Sequence, residues 1–232
     1  RQEQRSYWEM DDLTAIAARL VPLARDNAYV RQHPTPNFWA LMPHQLHQHT
    51  DSACSLASAV MVLNAARGLV HGNRIGGLVS EKRLLELFKD TTWPAGVALD
   101  GGGRKLTELA DHLDVALQHY GLDEWRVERR PISAADPATA GQLRADLAAM
   151  ESSAGCFPIA NFHLDDFYGD GSDVGHFSPL AAYDSGTDRV LVLDVYKADY
   201  EPAWAPVDHL LNAMVRPCDD GKRRGYLVVR RG

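Results

Sequence analysis

Residues 52–66 read SACSLASAVMVLNAA. Their apolar side chains fall on most sides of a helix rather than along one stripe, and such a helix belongs in the middle of a domain. Polar residues precede the stretch and Gly68 follows it, which are the ordinary signals of a helix start and stop. The pattern predicts a buried helix with Cys54 in its first turn. Backbone N–H groups there lack intrahelical partners and the helix dipole is positive, so a thiolate is favoured. A free cysteine is more often a small buried hydrophobe. Cys54 becomes a nucleophile only if a base stands beside it.

Working outward, apolar residues at positions 13, 16, 17 and 20 predict a short amphipathic helix over 13–23, ending near Pro22. Leu84, Leu85, Leu87 and Phe88 mark another helix, set between loops rich in glycine. Leu106, Leu109, Ala110, Leu113 and Leu117 repeat with helical period, as do Leu143, Leu147 and Met150. These two read as surface helices. Beyond residue 156 the character changes. FPIANF, FSPLAAY, RVLVLDV and YLVVR are short apolar runs parted by turn residues, and they predict strands of one antiparallel sheet. Helices followed by a sheet give an α+β fold of two layers with a groove between them. The helical part spans about 1–155 and the sheet part about 156–232.

The chain has 232 residues, 45% hydrophobic and 24% charged, which excludes a disordered or coiled-coil protein and suits one core. Twenty-four basic against 31 acidic residues leave a net charge of −7. No broad basic face is available for a phosphate backbone, so nucleic acid is not an expected partner. Cys54, Cys156 and Cys218 form no CxxC pair and no disulfide framework, and Cys156 and Cys218 read as structural. The apolar run at 52–66 is shorter than the ~20 residues of a membrane span, so a soluble protein is expected and no membrane partner. The sequence starts RQEQRSYWEM rather than with Met, as a processed or trimmed chain would, and its compartment is not readable.

A base for Cys54 is available in Gly175-His176-Phe177. Asp194 lies near the end of the following apolar run. Adjacent antiparallel strands joined by the turn at 184–188 would set His176 and Asp194 side by side. The carboxylate would then orient the imidazole while the other ring nitrogen faces the thiol, a Cys-His-Asp triad. Gln48, six residues before Cys54, could offer its amide to an oxyanion.

Three segments in this order, QHTDSACSLASAVMVLNA, GHFSPLAAYDSGTDRVLVLDV and YKADYEPAWAPVDHLLNAM, resemble the catalytic domain of the phytochelatin synthases, papain-like enzymes of the glutathione γ-glutamylcysteinyltransferase type. The resemblance runs from about Phe38 to Val229. It implies a papain-like cysteine peptidase fold over a single domain, residues 1–232, without the Cys-rich C-terminal domain of the plant enzymes. It implies Cys54 as nucleophile, His176 as base and acid, Asp194 as orienting group and Gln48 as oxyanion donor. The reaction would cleave the Cys-Gly amide of glutathione through a γ-glutamylcysteinyl thioester, which water or a second peptide's amine then resolves. Arg224 with Asp219 or Asp220 would recognise the γ-glutamyl carboxylate and amine. Ser55, Asn161, Lys197 and Tyr200 complete the expected substrate-binding set.

Departures from the family are confined to the surroundings of the triad. Ala53-Cys54-Ser55 replaces Tyr-Cys-Gly, and a side chain is thereby expected next to the substrate. Lys197 stands for a common Arg, Asp199 for a common Lys, and Asp51 adds a charge near the thiol. With Asp165, Asp166, Asp170 and Asp173, read as a mobile flap, these acids would repel an anionic acceptor and favour water or a cationic amine. The runner-up reading is an amide-forming acyltransferase of a specialised pathway with another donor and an amine acceptor. A third is a binding protein with a spent site. No cofactor is expected, and metal ions would enter only as thiolate complexes of the substrate. His44, His47 and His49 could be taken for a metal cluster but lack a rigid element, and flanking the cleft is the simpler role. His163 with Asp165 and Asp166 could equally suggest a ligand group, but a mobile flap beside His176 is the expected role. The DGGGR run follows no strand and reads as a loop rather than a phosphate cradle. A homodimer is left open.

Overall fold

The computed structural model describes residues 19–71 and 76–232. In chain order its elements are β1 (Val21–Pro22), α1 (Ala28–Gln32), α2 (Pro36–Leu41), a 3₁₀ turn (Met42–His44), α3 (Cys54–His71), α4 (Glu81–Leu87), α5 (Trp93–Gly96) and α6 (Leu106–His119). There follow β2 (Trp125–Pro131), α7 (Pro137–Ser152), β3 (Cys156–His163), α8 (Leu164–Tyr168), β4 (Gly175–Asp184), β5 (Arg189–Val192), β6 (Ala203–Pro206), α9 (Val207–Val215) and β7 (Gly225–Arg231).

The expected core helix is α3. It starts at Cys54 and runs past Gly68 to His71, and every residue from Cys54 to Arg67 is buried. A single glycine costs a helix only about 1 kcal/mol, which packing of the first four turns outweighs. Among the described residues α3 alone is long and apolar enough to cross a membrane, but 78% of it is buried inside the fold, which makes it a core helix.

Among the described residues seven strands form one sheet in the order β1-β6-β5-β4-β3-β7-β2, every pair antiparallel. The four apolar runs after residue 156 are its β3, β4, β5 and β7. All eight residues of β3 are buried, which a sheet with one wet face does not allow. One face carries Phe157, Ile159, Phe177 and Leu227 into a core shared with α3, α4 and α6. The other carries Ala160, Phe162, Leu180 and Val228 against α7, α8 and α9. The molecule is therefore α+β with three layers, not two, because helices cover both faces.

Three further readings change. The predicted helix over 13–23 falls mostly outside the described residues, and its described end, Val21–Pro22, is a strand paired with β6. The helical part does not stop the sheet at 156, since β2 pairs with β7 along seven residues. The stretch read as a flap begins as helix α8.

Candidate active site

Cys54 is the first residue of α3, where the Ala53 carbonyl accepts the first helical hydrogen bond from Ala57. The remaining first-turn N–H groups have no acceptor within the helix. Cys54 is buried at 5% exposure but lies on the wall of a cleft of about 630 Å³. His176 is the second residue of β4, opposite Phe162 of β3. Asn161 donates from Nδ2 to the His176 carbonyl at 3.1 Å, which pins this end of the strand.

Past Val192 the β4–β5 pairing continues with Leu193 N–H donating to the Pro179 carbonyl. That contact delivers Asp194 to His176, whose Nε2 lies 3.0 Å from Asp194 Oδ1. Nδ1 is then the ring nitrogen left for Cys54, which lies on the same cleft wall. Burial opposes charge on His176, but the Asp194 carboxylate and the neighbouring thiol overcome it and raise its pKa to about 10. Burial likewise opposes charge on Asp194. The charge and hydrogen bond of His176, the Tyr196 N–H and the Tyr168 hydroxyl overcome it, so its pKa is lowered.

Gln48 is buried on the same cleft, its own N–H donating to the Val195 carbonyl beside Asp194. Its amide gives one N–H to the Thr50 carbonyl at 2.8 Å, and a second N–H remains. Its Oε1 is buried with no partner among the described residues.

The expected substrate-binding residues divide. Arg224, Asn161, Asp219 and Tyr200 line the cleft. Arg224 is 5% exposed and donates from one amino group to the Arg216 and Pro217 carbonyls, while its Nε is buried without a partner among the described residues. A Cβ on Gly175 would stand 3.1 Å from that Nε, so the glycine beside His176 gives the guanidinium its place.

Ser55, Lys197 and Asp220 are not on the cleft wall. Ser55 is fully buried and accepts from the Trp93 indole N–H at 3.3 Å, because the second residue of a buried helix points into the core. Lys197 is exposed, and Asp220 pairs with Lys222 at 3.4 Å. Asp51 is on the cleft and accepts from the Tyr196 hydroxyl at 3.2 Å.

Of the four acids read as a flap, Asp173 alone lines the cleft. Asp165 accepts from Gly171 N–H, Asp170 from Ser172, and Asp166 from Arg216. His163 is buried against Asp173 at 2.9 Å. His44, His47 and His49 do not line the cleft: His47 accepts from the Lys197 N–H and His49 lies 3.2 Å from Glu81. Among the described residues no three His, Cys, Asp or Glu side chains gather closely enough to hold a metal ion.

Three features escape a reading of residue patterns. Tyr168 donates to Asp194 Oδ2 at 2.7 Å from a helix of five residues. Cys218, read as structural, is buried yet lines the cleft near Asp219. Gly101, Gly102, Gly103, Arg104 and Lys105, read as a plain loop, also line the cleft. A glycine run beside two cations was a signal for that wall. Tyr168 had none, since only the turn of α8 aims it.

The sequence model of the phytochelatin synthases matches residues 26–226. Glutathione gamma-glutamylcysteinyltransferase 1 of Triticum aestivum is 37% identical over 99 residues, 42% of this chain and 19% of that protein. The protein of the same name from Arabidopsis thaliana is 35% identical over 95 residues, 40% of this chain and 19% of its own length. The chain thus matches about a fifth of the length of these relatives. Among solved structures, xylellain, a cysteine protease from Xylella fastidiosa, superposes with a TM-score of 0.41 at 14% identity, covering 94% of this chain and 89% of that one.

Proposed function

The chain belongs to the phytochelatin synthase family, and from that premise we propose that it is a cysteine-dependent acyltransferase or hydrolase that opens the Cys-Gly amide of glutathione or a related γ-glutamyl peptide. The observation that carries this reading is that Cys54 and His176 share the cleft wall while the buried Asp194 stands behind them, 3.0 Å from His176 Nε2.

In the first step the Cys54 proton resides on His176, whose pKa is raised, and the sulfur attacks the amide carbon. The oxyanion so formed is met by the second N–H of Gln48 and the backbone N–H of Cys54 at the start of α3. His176 then returns the proton to the leaving glycine nitrogen as the C–N bond breaks, and a thioester remains on Cys54. Water or an amine attacks that thioester, gives its proton to His176, and frees the thiol. Asp194 holds the imidazole in the tautomer both steps need. Arg224 and Asp219 supply charges for the γ-glutamyl carboxylate and amine.

Acceptor choice follows from charge. Asp51, Asp173 and Asp199 line the cleft with Tyr196 and Tyr200, and together with Asp219 they outnumber the cations Arg104, Lys105 and Arg224 on the same lining, a balance that disfavours an anionic peptide and leaves water or a cationic amine as the acceptor. The acids of the loop that turn away from the cleft do not contribute to this.

Acid-quenched intact mass after incubation with glutathione tests the reading. A γ-glutamylcysteinyl adduct is expected on the native protein and on Cys156→Ala and Cys218→Ala, and none on Cys54→Ala. An adduct on another cysteine, or on none, overturns it. Product analysis at millimolar glutathione tests the acceptor: γ-glutamylcysteine should dominate, and efficient formation of (γ-Glu-Cys)₂-Gly would refute the charge argument while leaving the nucleophile in place.

A further inference from the structure

Asp194 is approached from three elements. His176 of β4 and the N–H of Tyr196, after β5, both meet Oδ1, at 3.0 and 2.7 Å. The hydroxyl of Tyr168, the last residue of α8, meets Oδ2 at 2.7 Å. Asp194 has no exposed surface, so without Tyr168 one oxygen of a charged group would be buried with no donor. A carboxylate in that condition turns about its Cβ–Cγ bond toward any other donor, and turning moves Oδ1 away from the imidazole.

Tyr168 is itself fixed. Its ring stacks on Tyr200 with centroids 3.7 Å apart and planes parallel. The Tyr200 hydroxyl donates to Asp170, whose carboxylate also accepts from the N–H and hydroxyl of Ser172, a residue of the cleft wall. Besides His176 and the two phenols, the charged groups facing this cluster are Asp170 and Asp199, with Cys54 of α3 beyond the imidazole.

We propose that Tyr168 is a positioning residue of the acyl-transfer reaction: its hydroxyl locks the Asp194 carboxylate toward His176 and ties it, through Tyr200 and Asp170, to the Ser172 side of the cleft. This rests on the reading of Cys54, His176 and Asp194 as a triad. Tyr168 is not on the cleft wall, and its hydroxyl acts through Asp194.

Tyr168→Phe keeps the ring and its stack and removes only the donor. The readout is the pH dependence of Cys54 alkylation by iodoacetamide, which needs no substrate, with thermal melting and the kcat and KM for glutathione cleavage alongside. Loss of a hydrogen bond to a charged group should let Asp194 take its proton at higher pH, so the acid limb should move up by about one pH unit. With it, kcat should fall about tenfold while KM stays within about twofold. Melting should change little. Tyr168→Leu, which also loses the ring, should show the same limb at a lower melting temperature.

An unmoved limb in Tyr168→Phe overturns the proposal whatever the melting does. So does a limb that moves only in Tyr168→Leu, or a change confined to KM. If Cys54 of the native protein reacts no faster than Cys156, the triad reading falls and this proposal falls with it. If Cys54 is selectively reactive and Tyr168→Phe is unaltered, only this proposal is lost.

Discussion

Asp194 and Gln48 are both buried side chains, yet their removal should be felt differently. Asp194→Asn keeps the shape and a partner for Tyr168, but its amide favours the wrong imidazole tautomer. Turnover of glutathione should fall by about 10² to 10⁴ with the fold intact. Turnover near the native value would mean that His176 needs no orienting group. Gln48 already spends one N–H on the Thr50 carbonyl, so a single N–H is at stake in Gln48→Ala. The chemical step should slow by about 10² to 10³ with KM little changed. A change confined to KM would make Gln48 a substrate-binding residue. Cys54, His176 and Asp194 could be picked from residue types because each lies at a place the pattern itself marks, a helix start, a strand mouth and the end of an apolar run, whereas Gln48 lies in a loop and was singled out only by its spacing from Cys54. Tyr168 and Cys218 lie in short or irregular segments, where only the folded backbone decides which way a side chain points.

The segment between α5 and α6 shows how one element builds a wall. A Cβ on Gly101 would stand 2.3 Å from the Gly96 carbonyl oxygen, whereas one on Gly102 would meet nothing within 4 Å. Gly101→Ala must therefore push backbone apart and should lower the melting temperature by several degrees, about the effect of 1–3 kcal/mol of overpacking. Gly102→Ala should leave melting unchanged or raise it slightly, since it restricts the unfolded chain by roughly 0.4–1 kcal/mol. Melting curves of both variants decide this, and equal losses would refute the geometry.

Long periodic elements such as α3, α6 and α7 were legible. β2 was not, because WRVERRP carries charges at four of seven positions: Arg126 and Arg129 are exposed, while Arg130 and Arg230 reach the buried Asp146 and both also pair with Glu128. β6, at four residues, is too short to show alternation. The third layer was hidden for a related reason, since α9 follows β6 without a break.

At the scale of the whole molecule, opposed titrations shape stability. Burial raises the pKa of Glu128, but Arg126, Arg230 and Arg130 overcome it and bring it from 4.5 down to about 2. A depressed carboxylate stabilises the fold above its unfolded value and loses that contribution as pH falls through about 2. His176, raised from 6.5 to about 10, stabilises fully below 6.5 and loses its contribution as pH rises through about 10. Melting temperature should therefore be highest between about pH 4.5 and 6.5 and decline on both sides, with Glu128→Gln flattening the acid side. A maximum above pH 9 would contradict the assignment.

Strand β7 also governs when the protein can exist. Last in sequence among the described strands, it is not at the rim but between β3 and β2. On the ribosome, β2 is made long before its hydrogen-bonding neighbour, and β3 has one side open until residues 225–231 emerge. Arg224 arrives only then. Residues 225–231 must be made before the sheet closes, and a chain halted earlier presents open, apolar strand edges of the kind that aggregate or are taken up by chaperones. An abortive product of this gene would thus be cleared as unfolded polypeptide rather than linger as a partly active thiol.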